Sequence, residues 1–321
     1  MDGTRLMVIG GSGFFGKSIL DAFHRGLLAP WNVGHIIVVA RSASVLWTQH
    51  PDLLGDHVTL IDADVGTAPE LPSADYVIHA ASSTDARRYA EFPQEERANI
   101  LKSINNYCRI ARATHRASKI VYTSSGAVYG QQPATLERVD ESYEPGEVGD
   151  LVAYKRDYAE AKRLAEQRIA ALGSAGLAVS VARCFAFMGY YLPRDQHFAI
   201  GNFIEDGLRG RPVKVNAQKR VYRSYMHADD LVRWLMTIAD NASVDCPIFN
   251  VGSDEAYTIG EVASAVARRF GVAADVPAIT ETDMDRYIPS IAKANRELSL
   301  KLSFDLNDGI DDIANRLRRA H

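Results

Sequence analysis

The chain has 321 residues, 47% hydrophobic and 24% charged, the balance of a globular protein long enough for a large domain and a smaller second one. Its 36 basic and 40 acidic residues are well mixed and sum to a formal net charge of −4, which provides no broad basic field for nucleic acid. No uninterrupted apolar stretch reaches the roughly 18 residues of a membrane span, and the expected location is the cytoplasm.

Met1 to Arg5 leads directly into Leu6–Ile9, an apolar run too short for a signal-peptide core and best read as a strand. Gly10-Gly11-Ser12-Gly13-Phe14-Phe15-Gly16-Lys17-Ser18 follows, and then a helical segment. Glycines in that place permit a tight turn, let backbone N–H groups approach a pyrophosphate, and allow the helix to pack on the strand. The helix N-terminus adds a favourable dipole for negative charge.

Further apolar runs rich in β-branched residues recur at Ile36–Val39, Val58–Ile61, Tyr76–His79, Ile120–Thr123 and Val179–Ala182, with helical segments between most of them. The alternation predicts an α/β fold, a doubly wound parallel Rossmann sheet covered by helices on both faces. The second run ends in Arg41-Ser42, where an acidic residue would suit the ribose hydroxyls of NAD. A guanidinium beside a hydroxyl suits a 2′-phosphate, so NADP is expected ahead of NAD; the alternative is a solvated loop arginine.

Ile120–Thr123 runs on into Ser124-Ser125-Gly126-Ala127, and a serine at the carboxyl end of a parallel strand is placed to bind a substrate oxygen. About thirty residues later a helical segment carries Tyr158 and Lys162, at i and i+4 on one helix face. An ammonium beside a phenol favours phenolate, which makes the pair an acid/base device for an alcohol and its ketone.

After Arg183 the pattern changes. Gly201–Gly210 reads as a helix, Val213–Val215 and Arg223–His227 as short strands, and Asp229 or Asp230 as the cap of a helix reaching Asp240. Ile248–Val251 reads as a strand returning to the sheet, Thr258–Phe270 as a helix stopped by Gly271, and Asp308 onward as a helix with a solvated arginine-rich end. The expected domains interleave: 1–183 with about 228–252 for the nucleotide, 184–227 with 253–321 for the substrate. Cys108, Cys184 and Cys246 show no metal-ligand spacing and read as reduced, small hydrophobes; no metal is expected.

Together these motifs resemble the extended short-chain dehydrogenase/reductases, the family of nucleotide-sugar epimerases, dehydratases and reductases. Gly10, Gly13 and Gly16 match its glycine motif, with Phe14 and Phe15 inside the same cofactor turn. The resemblance assigns Asp64 and Val65 to the adenine, His79-Ala80-Ala81 to the strand beside the nicotinamide, and Asn99 to the cofactor helix. Ser125, Tyr158 and Lys162 match the catalytic triad, the last two also touching cofactor. It places Arg223 and Tyr225 near a substrate diphosphate, implies a nucleotide-sugar substrate, and makes a homodimer the expected assembly.

There are departures. Ala186 stands where many relatives have an asparagine, and Arg286 is offered for an arginine otherwise missing, against the alternative of an exposed loop residue. Gly126-Ala127 replaces the Asp-Glu pair of sugar 4,6-dehydratases, so that reaction is not expected. Arg41 tilts the reading slightly toward a 4-ketoreductase of a nucleotide-4-keto-6-deoxy sugar, whereas the C-terminal segment Arg286–Leu298 favours a 4-epimerase. The same fold could also serve a catalytically silent NADP-binding regulator or a reductase of a hydrophobic ketone.

Overall fold

The computed structural model describes residues 3–82, 86–144, 151–194, 196 and 198–320. The first elements are β1 (Thr4–Ile9), α1 (Phe14–His24), β2 (Val33–Ala40), α2 (Leu46–Gln49), β3 (Val58–Asp62), β4 (Tyr76–His79), α3 (Ala86–Glu91), α4 (Pro93–Thr114), β5 (Lys119–Ser125), α5 (Ala153–Gly173) and β6 (Ala178–Cys184). There follow β7 (Phe187–Met188), α6 (Ala199–Leu208), β8 (Val213–Lys214), β9 (Arg220–Arg223), β10 (Met226–His227), α7 (Ala228–Asp240) and β11 (Ile248–Val251). The chain closes with β12 (Tyr257–Thr258), α8 (Ile259–Phe270), β13 (Ala274–Asp275), β14 (Met284–Tyr287), α9 (Ala292–Leu298) and α10 (Leu306–Ala320).

Seven strands form one sheet in the order β11-β6-β5-β4-β1-β2-β3. The pairs from β6 across to β3 are parallel. The order steps outward from β1 in both directions, so helical crossovers cover both faces, the Rossmann arrangement. That double covering is why the strands read as unbroken apolar runs: Leu6, Met7, Val8 and Ile9 are all closed to solvent, as are Ile36 to Val39. On one face Met7, Ile37, Val77, Ile120 and Val179 pack with Ile104 and Tyr107 of α4 and Ala161 and Ala165 of α5.

The chain divides into two compact units, the first being Met1–Gly130, Glu147–Cys184 and Val232–Phe249, the second Gln131–Gly146, Phe185–Leu231 and Asn250–His321. The expected nucleotide domain of 1–183 takes in 131–144, but long-range bonds tie this stretch into the second unit. The Gln132 side chain accepts the Ile288 N–H at 2.9 Å, and the Glu141 carboxylate accepts the Asn250 N–H at 2.7 Å.

In the second unit β9 is flanked by antiparallel β12 and parallel β14. Thr258 caps α8 in a reciprocal box with Glu261, and Gly271 ends it in a left-handed conformation. Two local expectations need correction. Asp229 and Asp230 lie inside the first turn of α7 and not at its cap, and Asp230 accepts the Ser303 N–H at 2.8 Å. On α10, Arg318 and Arg319 are exposed, but the Arg316 guanidinium lies 4.8 Å from the Tyr190 ring centre and is a packing residue. No described helix is long and apolar enough to cross a membrane.

Candidate active site

β1 delivers the chain to the carboxyl end of the sheet, where Gly10 turns it at φ +86°, a conformation that side chains with a Cβ disfavour. The Gly10 N–H donates to the Val39 carbonyl at 2.7 Å, and the Gly13 N–H to the Gly10 carbonyl at 3.2 Å. Gly13 then opens α1 without any side chain to cap the first helical N–H groups. A Cβ on Gly16 would stand 2.0 Å from the Gly11 carbonyl oxygen, whereas one on Gly13 would meet only the Gly10 oxygen, at 3.4 Å. Glycine is thus demanded by the protein's own packing at 16, while at 13 the open cradle fits the close approach of a dinucleotide pyrophosphate. The half-buried Phe14 and Phe15 rings sit edge to face beside it, 5.8 Å apart.

Arg41 and Ser42 are exposed just beyond β2, and no carboxylate pairs with Arg41 among the described residues. Sequence reading missed a neighbouring acid. Asp62, at the end of β3, lies opposite Ala40 in register and accepts the Ser44 N–H at 2.8 Å. Hydrogen bonds from Ser44 hold its carboxyl below the usual carboxylate range. Asp64 is exposed and accepts the Gly66 N–H at 2.8 Å; Val65 is buried, and Asn99 is exposed on α4.

Ala80 and Ala81 are half-buried after β4. The His79 ring, by contrast, is enclosed, 4.9 Å from the Tyr107 ring and 5.6 Å from the Tyr122 ring. Burial, reinforced by the nearby Lys162 charge, pushes its imidazole down to about 3. His79 therefore contributes its strand to the site, and its side chain belongs to the core.

Ser125 ends β5, where its hydroxyl accepts the Ala127 N–H at 3.2 Å and so caps the short turn Gly126–Tyr129. Tyr158 and Lys162 come from α5, which packs against both β5 and that turn. The Tyr158 hydroxyl hydrogen-bonds with the hydroxyls of Ser125 and Ser82, and its ring meets Tyr89 edge to face at 5.0 Å. Loss of water around the half-buried Tyr158 pushes its hydroxyl up to about 12. Lys162 is buried; its Nζ donates to the Thr123 carbonyl at 3.0 Å and lies 5.8 Å from the Tyr158 ring centre. Burial pushes its amine down to about 8.

The three expected catalytic residues are thus brought together at the end of one sheet. Sequence reading missed Ser82, Tyr89 and Cys184. Cys184 is opposite Ser125 in the β5–β6 register, beside Tyr158 and Lys162, with its thiol pushed up to about 12 by burial. A lone cysteine carries no signal of such a position. All three cysteines are buried free thiols, and no described cluster of His, Cys, Asp or Glu is placed to hold a metal.

In the second unit Arg223 is already engaged. Its guanidinium forks onto Asp285, at 2.9 and 3.3 Å, and donates to the Tyr222 carbonyl at 2.8 Å. Tyr225 is buried, its hydroxyl pushed up to about 12. Arg286 lies in β14 and not in an exposed loop; its guanidinium carbon is 4.4 Å from the Tyr222 ring centre, and its buried Nε has no hydrogen-bond partner. Among the described residues no carboxylate pairs with Arg286, so it retains the cationic capacity that Arg223 has spent.

Residues 6–252 match the model of the NAD dependent epimerase/dehydratase family. The chain belongs to that family. UDP-glucuronic acid decarboxylase 1 of Xenopus tropicalis is 25% identical over 322 residues, spanning 99% of this chain and 73% of its own length. UDP-glucuronic acid 4-epimerase from Bacillus cereus superposes with a TM-score of 0.80 at 16% identity, covering 99% of this chain and all of that one. UDP-glucose 4-epimerase from Thermotoga maritima gives 0.79 at 18%, with 98% and 99% covered. At such identities the structural likeness is one of fold, and it agrees with the Rossmann sheet of this family member.

Proposed function

We propose that the protein is an NAD(P)-dependent nucleotide-sugar 4-epimerase. The observation that carries the reading is the convergence of Ser125, Tyr158 and Lys162, followed by Gly126 and Ala127, which have no group able to exchange a second proton. Such a site suits reversible oxidation at one carbinol carbon and does not suit elimination of water from a neighbouring one. Tyr158 takes and returns the hydroxyl proton, Ser125 orients the same oxygen, and the Lys162 ammonium favours the transient phenolate. The nicotinamide, when bound, supplies reversible hydride acceptance. Arg286 is the proposed partner of a substrate phosphate, with Tyr225 a packing residue of the same unit and Arg223 held by Asp285.

The sequence likeness to UDP-glucuronic acid decarboxylases supports a nucleotide-sugar substrate and leaves a ketoreductase as the second reading. Exposed Arg41 still favours that second reading, because NADPH is a reductant consumed at each turnover. Incubation with UDP-hexoses or UDP-hexuronates is expected to interconvert C4 epimers with no net change in the reduced-nicotinamide absorbance. Stoichiometric loss of that band with a nucleotide-4-keto-6-deoxy sugar and NADPH would instead establish the reductase.

Cofactor preference is tested separately. Arg41 is expected to favour NADP(H), and Arg41→Asp to erase or reverse the preference by placing a second carboxylate near Asp62. Fluorescence titration of both cofactors decides it; a wild-type preference for NAD(H) would mean that Arg41 faces only solvent. Turnover should also fall above about pH 8, because the amine of Lys162 is ammonium below that value and neutral above it. A flat profile through pH 9 would contradict the role given to Lys162.

A further inference from the structure

Lys162 is a cation in a dry place, and the groups around it offer little countercharge. From β5 it meets the Thr123 carbonyl and, at 5.0 Å, the Tyr122 ring. The Tyr122 hydroxyl is held well above its usual range by burial. From β6 comes Cys184, whose thiol is pushed up to about 12, and from β4 His79, whose imidazole is pushed down to about 3. Both are neutral wherever Lys162 titrates. Tyr158, on its own helix, is a neutral phenol in the resting site.

One acid remains. Glu166 lies one turn after Lys162 on α5, and its side chain is only 9% exposed. Arg183, at the end of β6, grips it in a fork: Nη2 donates to Oε2 at 2.8 Å and Nε to Oε1 at 3.1 Å. The guanidinium carbon in turn lies 4.7 Å from the Tyr129 ring centre, in the turn that Ser125 caps. A bidentate pair so enclosed has one geometry, unlike the exposed pair of Arg97 with Glu160 on the same helix.

We propose that Glu166 is a positioning residue for Lys162: fixed in place by Arg183, its carboxylate keeps the buried amine in its ammonium form. Glu166 touches no reacting atom and acts through the lysine. The sign is fixed by the surroundings: burial favours the neutral amine, Cys184 and Glu166 oppose it, and Cys184 is a neutral thiol where Lys162 titrates, which leaves Glu166. Arg183 has a matching part, because without it Glu166 would be free to point elsewhere. The inference rests on the catalytic role proposed for Lys162, but the charge it concerns is measurable without any reaction.

The test is a pH titration of Lys162 by NMR of the protein labelled with 13C at lysine Cε, the signal being assigned by its absence in Lys162→Met. Wild-type protein is expected to titrate near 8. Glu166→Gln should bring the midpoint down by about one pH unit, and Glu166→Asp should restore most of the loss. The double variant Glu166→Gln with Arg183→Met removes the ion pair as a unit, leaves no orphaned guanidinium and should also titrate below wild type, so the shift is read even if the single variant does not fold. The alkaline limb of turnover should move with it. A folded variant lacking Glu166 whose Lys162 titrates as in wild type would overturn the proposal, even with its melting temperature lowered, because a merely structural ion pair affects stability alone. A shifted midpoint with an unmoved activity profile would leave Glu166 acting on Lys162 and would reject instead the catalytic role given to the lysine.

Discussion

Tyr158→Phe is expected to lower turnover by about 10³-fold while leaving cofactor affinity close to wild type. The ring keeps its edge-to-face contact with Tyr89 at 5.0 Å, so the helix face that carries Lys162 is undisturbed. What disappears is the oxygen shared with Ser125 and Ser82, and with it the only proton carrier of the triad. Ser125 cannot replace it, because an aliphatic hydroxyl has a far higher intrinsic pKa than a phenol and is a poor proton carrier near neutral pH. Lys162→Ala should behave differently, weakening cofactor binding and turnover together, since its ammonium is available to both. Single-turnover kinetics with equilibrium dialysis of the cofactor separates the two variants. Turnover within a factor of a few of wild type in Tyr158→Phe would remove the tyrosine from the chemistry.

The first unit is legible in the sequence because its physics is local or repetitive. Strands buried on both faces must be apolar along their whole length, and each predicted run from Leu6–Ile9 to Val179–Ala182 lies within a strand of the sheet. Ile248–Val251 is recognisable for the same reason, and it joins as the edge strand beside β6. The phosphate turn and the Tyr158/Lys162 spacing are equally local, one set by backbone sterics and the other by helix periodicity. The second unit is less so. Its strands are two to four residues long, too short for periodicity, and the partner of Arg223 is Asp285, more than sixty residues away. Nothing in the Arg223 segment shows that its charge is already matched. Cys184 and Asp62 escape sequence reading on similar grounds, since their place in the site depends on strand register against Ser125 and Ala40. The seven-strand order itself follows from the crossover rule, whereas which loop packs on which is fixed by single side chains such as Gln132.

The glycines of the phosphate turn should part company under the same substitution. In Gly16→Ala the new Cβ would stand 2.0 Å from the Gly11 carbonyl oxygen and 2.3 Å from the Gly11 carbonyl carbon and Cα. These are backbone atoms of the turn itself, so relief requires α1 to move away from β1, where Ile19 and Leu20 are fully buried. Overpacking of this kind costs about 3 kcal/mol. In a chain of this size that corresponds to a melting temperature lower by roughly 5–10 °C. Gly13→Ala meets only the Gly10 oxygen at 3.4 Å, an ordinary contact, and its backbone, φ −84° and ψ −171°, is open to alanine. Its melting temperature without cofactor should therefore match wild type. The methyl group would, however, occupy the cradle at the start of α1, and affinity for NAD(P) should fall by about tenfold or more, a loss of at least about 1.4 kcal/mol. Differential scanning fluorimetry with and without cofactor reads both effects at once: a low apo midpoint for Gly16→Ala, and for Gly13→Ala a normal apo midpoint that cofactor fails to raise. A Gly13→Ala protein stabilised by cofactor as strongly as wild type would show that the pyrophosphate lies elsewhere.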